Sequence, residues 1–174
     1  SWTAGTIPVV EDEQEVLFHV VANTVVAVEG DGSVADRYAS FFDEDPARAN
    51  IAEVAFGVND RAEVTGLVLE DEKAGFHWAF GRSDHLGGVV GVEDFESPEN
   101  VVHQDIVYAA GNPIQAERVS VVHPDGREVV IIDQAEFLPK GLVIFDPNFD
   151  SRENPARTTF TFSEREVNWS IALQ

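Results

Sequence analysis

The chain reads as an α+β fold, a mostly β domain with one or two helices near the N-terminal side. Short runs of β-branched and aromatic residues recur from Val16 to Leu173, separated by turn residues. Helix-period spacing with cap residues occurs only in the first half. At 174 residues with 44% hydrophobic content, the sequence is long enough to bury one core and too apolar to be disordered.

Charge narrows the partners. The formal net charge is −21, from 32 acidic and 11 basic residues, which makes nucleic acid and anionic membranes poor partners. The acids are spread over the whole chain, the pattern of a halophilic, solvated surface; a specific cation-binding surface is the alternative. Cysteine is absent, so any transition metal must be held by nitrogen and oxygen. No apolar run approaches the roughly 20 residues of a membrane span and no signal segment is present, so a soluble, cytoplasmic protein is expected. The chain opens Ser1-Trp2-Thr3 and contains no methionine, which reads as part of a longer protein.

The elements follow in order. Residues 1–14 read as an irregular entry, with Glu11, Asp12 and Glu13 in a solvated turn. Val16 to Val20 and Val25 to Val28 form a hairpin around Ala22-Asn23, with His19 a structural or surface histidine. After Glu29-Gly30-Asp31-Gly32, a helix begins at Ser33. Ser33 and Asp36 have capping-box spacing, and Val34, Tyr38, Phe41 and Phe42 share one face. Asp45-Pro46 caps a second short helix. Residues 51–59, IAEVAFGVN, read as a short buried strand, and residues 65–73 as one or two helical turns whose acids Glu70, Asp71 and Glu72 face solvent.

Candidate chemistry begins at Glu53. A bare carboxylate inside an apolar strand costs several kcal/mol, so it needs a cation or strong hydrogen bonds unless the strand lies at an edge. In residues 75–81, Phe76, Trp78 and Phe80 take one strand face and His77, Ala79 and Gly81 the other, so His77 stands where bulk has been cleared. Residues 82–100 form a long loop, a lid or rim, on which Asp84 and His85 could reach a substrate. In the strand of residues 101–108, His103 and Asp105 lie two apart on the same side, roughly 7 Å from each other at the backbone. Two histidines and a carboxylate with open positions suit a mononuclear divalent centre, and Glu53 adds a possible bridge to a second ion. Residues 116–137 read as strand, Asp125-Gly126 turn and strand, with His123 a turn residue. Residues 145–155 read as a loop, and 158–163 and 167–173 as two further strands. Residues 1–140 form a metal-binding catalytic-type domain and 141–174 a C-terminal β extension.

The order of IAEVAFGVN, TGLVLEDEK, GFHWAFG, the Gly-Gly loop and VHQD resembles the C-terminal metal-binding domain of the thermophilic metallo-aminopeptidase family, aminopeptidase T type, over about residues 20–135. That resemblance implies Glu53, His77, His103 and Asp105 as metal ligands, with Glu53 bridging two ions of zinc, cobalt or manganese. It further implies metal-activated water attacking a peptide bond, and a possible homodimer. The family's upstream glutamate in a proline context has no match here. The related 2,5-dihydroxypyridine dioxygenases use one Fe(II) held by two histidines and an aspartate, matched by His77, His103 and Asp105. In that branch Glu53 or His85 would manage protons. The expected substrate is accordingly a peptide or small molecule, and a degenerate domain with an assembly role is the third reading.

Overall fold

The structure, a computed structural model, describes residues 2–59, 61–123 and 125–138, together with the strands over 157–162 and 165–172. It is α+β and mostly β. The strands are β1 (Trp2–Glu11), β2 (Gln14–Val21), β3 (Thr24–Glu29), β4 (Ile51–Phe56), β5 (Phe76–Gly81), β6 (His103–Val107), β7 (Ala116–Val122), β8 (Glu128–Asp133), β9 (Glu136–Phe137), β10 (Arg157–Phe162) and β11 (Arg165–Ala172). Helix α1 (Ser33–Glu44) and the single turn α2 (Val68–Asp71) complete the regular elements with short 3₁₀ turns. One antiparallel sheet runs β3-β2-β1-β11-β10-β7-β8-β9, and a separate antiparallel sheet runs β4-β5-β6. The residues expected as a C-terminal extension thus supply two strands between β1 and β7. No helix is long and apolar enough to cross a membrane among the described residues. The loop expected at 145–155 lies outside them.

The N-terminal entry is a strand, where an irregular segment was expected. Ile7 and Val9 alternate inward, 0% and 3% exposed, and β1 pairs from Gly5 to Glu11 with β2 through the Asp12-Glu13 turn. Gly5 and Pro8 hide this pattern in the sequence. Pro8 is tolerated because, among the described residues, β11 pairs with Trp2 to Gly5 and stops short of it, so no strand calls on its missing N–H. The β2–β3 hairpin turns at Ala22-Asn23, both in the left-handed region that such two-residue turns require.

Helix α1 starts as expected, but without a capping box. Gly32 occupies the N-cap, and the Gln14 side chain accepts from the Val34 amide instead. A side chain from the neighbouring hairpin therefore does what Ser33 was expected to do. Asp45 does cap the next turn, Pro46–Ala49, accepting from the Ala47 amide at 3.1 Å. That turn is 3₁₀.

Large aromatics join the two sheets. Phe18 from β2 meets Tyr38 and Phe42 of α1 edge-on, at centroid distances of 4.9 and 5.4 Å, and Trp78 of β5 at 6.0 Å. Phe76, Trp78 and Phe80 are all essentially fully buried on this face. Each such side chain contributes about 1.5–3 kcal/mol through burial. Trp78 Nε1 donates to the Tyr108 hydroxyl at 2.9 Å, which donates in turn to the Pro8 carbonyl at 2.8 Å, tying the small sheet to β1. With one face of β4-β5-β6 committed to the core, its other face is left for polar side chains.

Candidate metal centre

Strand register builds that polar face. Ala79 pairs with Glu53 on one side and Asp105 on the other, so the two carboxylates flank a methyl group in one row across the sheet. His77 lies two residues along β5, and His103 pairs with Gly81 beyond Asp105. All four predicted ligands therefore come from adjacent strands of one sheet and are not divided by packed core. Gly81 has φ +100°, and a Cβ there would lie 2.2 Å from the Val102 carbonyl oxygen. Only glycine permits this close approach of β5 to the start of β6.

The side chains converge. His77 Nε2 lies 3.6 Å from Glu53 Oε1, and His103 Nε2 lies 3.3 Å from Glu53 Oε2 and 3.8 Å from Asp105 Oδ1. Ligand atoms of Glu53, His77 and Asp105 lie within 4.8 Å of one another. The three nitrogen-to-oxygen separations exceed the 2.7–3.2 Å of ordinary N–H···O hydrogen bonds. The 3.3 Å separation falls within the spacing of about 3.0–3.4 Å between ligand atoms each about 2.1 Å from a shared ion, and those of 3.6 and 3.8 Å are slightly longer. Both histidines also turn Nδ1 to backbone carbonyls, His103 to Arg82 at 2.7 Å and His77 to Gly75 at a longer 3.4 Å. A neutral ring donating from Nδ1 carries its lone pair on Nε2, the atom that faces the carboxylates. The donor set is nitrogen and oxygen throughout, and it fits a divalent ion.

Burial raises the Asp105 carboxyl above the usual carboxylate range; His103 opposes this and the Glu53 charge adds to it. His77 is nearly buried, whereas Glu53, His103 and Asp105 keep partial access to solvent.

His85 does not join the ligand cluster. Its ring meets that of His103 edge-on with centroids 4.8 Å apart. The 3₁₀ turn Asp84–Leu86 presents it. Asp84 accepts from Arg82 and from the His85 amide, and its carboxyl is held below the ordinary range chiefly by the Arg82 hydrogen bond. The loop of residues 82–100 is a rim built from three 3₁₀ turns, closed on itself by Ser83 and Val90 and with Phe95 buried. Its far end is clamped: Asp45, 0% exposed, accepts from the Glu96 amide and the Asn100 side chain, while Arg48 donates to the Asn100 carbonyl and side chain.

One acid departs from expectation. Asp71 is buried rather than solvent-facing, accepting from the Thr65 and Gly66 amides and closing the loop that precedes α2. A carboxylate with several backbone donors resembles a surface acid in sequence, because the donors are main-chain groups that every residue carries. The Arg82 carbonyl that orients His103 was invisible for the same reason. No family model, curated protein or solved structure matches the chain.

Proposed function

We propose that Glu53, His77, His103 and Asp105 hold a divalent metal ion and that the protein is a metal-dependent hydrolase. The observation that supports this reading is that Glu53, His77 and Asp105 bring ligand atoms within 4.8 Å of one another across Ala79, with His103 Nε2 beside Glu53 and Asp105 and both histidines turning Nδ1 to a backbone carbonyl. A bound zinc, cobalt or manganese ion supplies Lewis acidity, polarising a scissile carbonyl and lowering the pKa of water. His77, His103 and Asp105 orient the centre, and Glu53, placed between the two histidines, is available to accept a proton or to bridge. Ala79, 0% exposed, sets only a methyl group between the two carboxylates. Motif order makes a peptide the favoured substrate class, by resemblance to the metallo-aminopeptidases.

The test is metal analysis of protein purified without oxygen, followed by calorimetric titration with zinc, cobalt and manganese and by assay of leucyl-anilide cleavage. About one ion or more per chain is expected, lost in His103→Ala. Full metal occupancy in that variant, or none in the wild type at saturating ion, refutes the site. Fe(II)-dependent oxygen uptake with a dihydroxypyridine, in place of anilide cleavage, would replace the hydrolase with the dioxygenase.

A further inference from the structure

We infer that Asn50 is a positioning residue for the proposed metal centre, acting through the backbone of Gly81 and Arg82 to hold His103 in the tautomer that presents Nε2. This rests on the metal-site reading above only for its functional consequence. Its structural part stands on hydrogen bonds alone.

Asn50 sits between the 3₁₀ turn Pro46–Ala49 and β4, and it grips the end of β5 twice. Its carbonyl accepts from the Gly81 amide at 2.8 Å, and its side-chain amide donates to the Gly81 carbonyl at 2.8 Å. The next two backbone groups are taken at the entry to β6: the Arg82 amide donates to the Val102 carbonyl at 2.7 Å, and the Arg82 carbonyl accepts from His103 Nδ1 at 2.7 Å. Four successive polar groups, from Gly81 N to Arg82 O, are thus held, two by Asn50 and two by Val102 and His103.

This clamp is needed where it stands. Gly81, the last residue of β5, lies at φ +100°, so the chain turns there, immediately before the Arg82 carbonyl that must be aimed. Asn50 pins that turn from the β4 side while β6 holds it from the other. Only the side-chain arm can be removed by mutation, since the carbonyl arm belongs to the backbone. Asn50→Asp keeps the shape but sets a carboxylate oxygen against the Gly81 carbonyl, turning attraction into repulsion.

The experiment is ¹⁵N imidazole NMR on metal-free protein at about pH 8.5, above the ordinary histidine pKa. Wild type should show His103 as the Nδ1–H tautomer; an Nε2–H signature there overturns the proposal. Asn50→Asp and Asn50→Ala should move His103 toward mixed tautomers, with the His19 and His77 signatures unchanged. A pure Nδ1–H signal in a folded Asn50→Asp protein overturns it too, and if Asn50→Ala fails to fold, Asn50→Asp and the wild-type tautomer still decide. Metal affinity should fall up to about tenfold, at the low end of losses on removing a metal ligand's outer partner. Wild-type protein that binds no metal while the tautomer result holds would sink the metal centre and leave the positioning relation intact.

Discussion

Replacing Asp45 with alanine tests how the rim of the candidate site is held. In the wild type this fully buried carboxylate accepts from Ala47 N at 3.1 Å, Glu96 N at 2.8 Å and Asn100 Nδ2 at 3.0 Å. Hydrogen bonds to a charged group contribute about 1.5–3 kcal/mol each, and loss of the helix cap alone costs about 0.5–2 kcal/mol. The bonds share one acceptor and are not additive, so the expected loss is about 3–5 kcal/mol, or about 10 °C in melting temperature for a chain of this size. Burial alone would raise this carboxyl, but the Glu96 amide, the Asn100 side chain, the Ala47 amide and the Arg48 charge outweigh it and hold the pKa below the usual value. A depressed pKa contributes stability above the unfolded-state value of about 3.9 and loses it as pH falls through the folded value. The gap between wild type and Asp45→Ala should therefore be constant from about pH 8 to 5 and shrink below about pH 4. Urea unfolding in molar KCl measures it, with hydrogen exchange at the Glu96 amide as a local readout. A loss under about 1 kcal/mol, or a gap that widens in acid, refutes the reasoning.

Ala79→Leu places bulk between the two carboxylates. It should lower divalent-metal affinity at least about 100-fold in calorimetric titration, at an overpacking cost of about 1–3 kcal/mol, and unchanged affinity would show that the space above Ala79 is not used. Because burial and Glu53 hold the Asp105 carboxyl above its ordinary pKa, its stabilising contribution belongs to the protonated form and is lost as pH rises through the folded value. Asp105→Asn should accordingly raise the stability of metal-free protein at pH 7 while abolishing metal binding; a lower melting temperature without metal contradicts this. With a net charge of −21, the wild type should melt several degrees higher in molar KCl than in dilute buffer, and indifference to salt removes the halophilic reading of its surface.

Periodicity alone was enough to show much of the molecule. Strand alternation placed Phe76, Trp78 and Phe80 on one face and His77, Ala79 and Gly81 on the other, because a pleated strand admits no third choice. The two-residue step from His103 to Asp105 put both on one side, and Asp45-Pro46 announced its cap. Residues 1–14 escaped because Gly5 and Pro8 interrupt the composition of a strand whose partners lie elsewhere in the chain. Only the tertiary structure set β4 and β6 on either side of β5 in the register that brings Glu53 and Asp105 across Ala79. It alone gave Asp71 its amide donors, Asn50 its grip on Gly81, and His103 the Arg82 carbonyl. The physical reason is the same in each case: side-chain type and spacing are written in the sequence, whereas strand register and backbone hydrogen-bond partners arise from long-range pairing that no local pattern encodes.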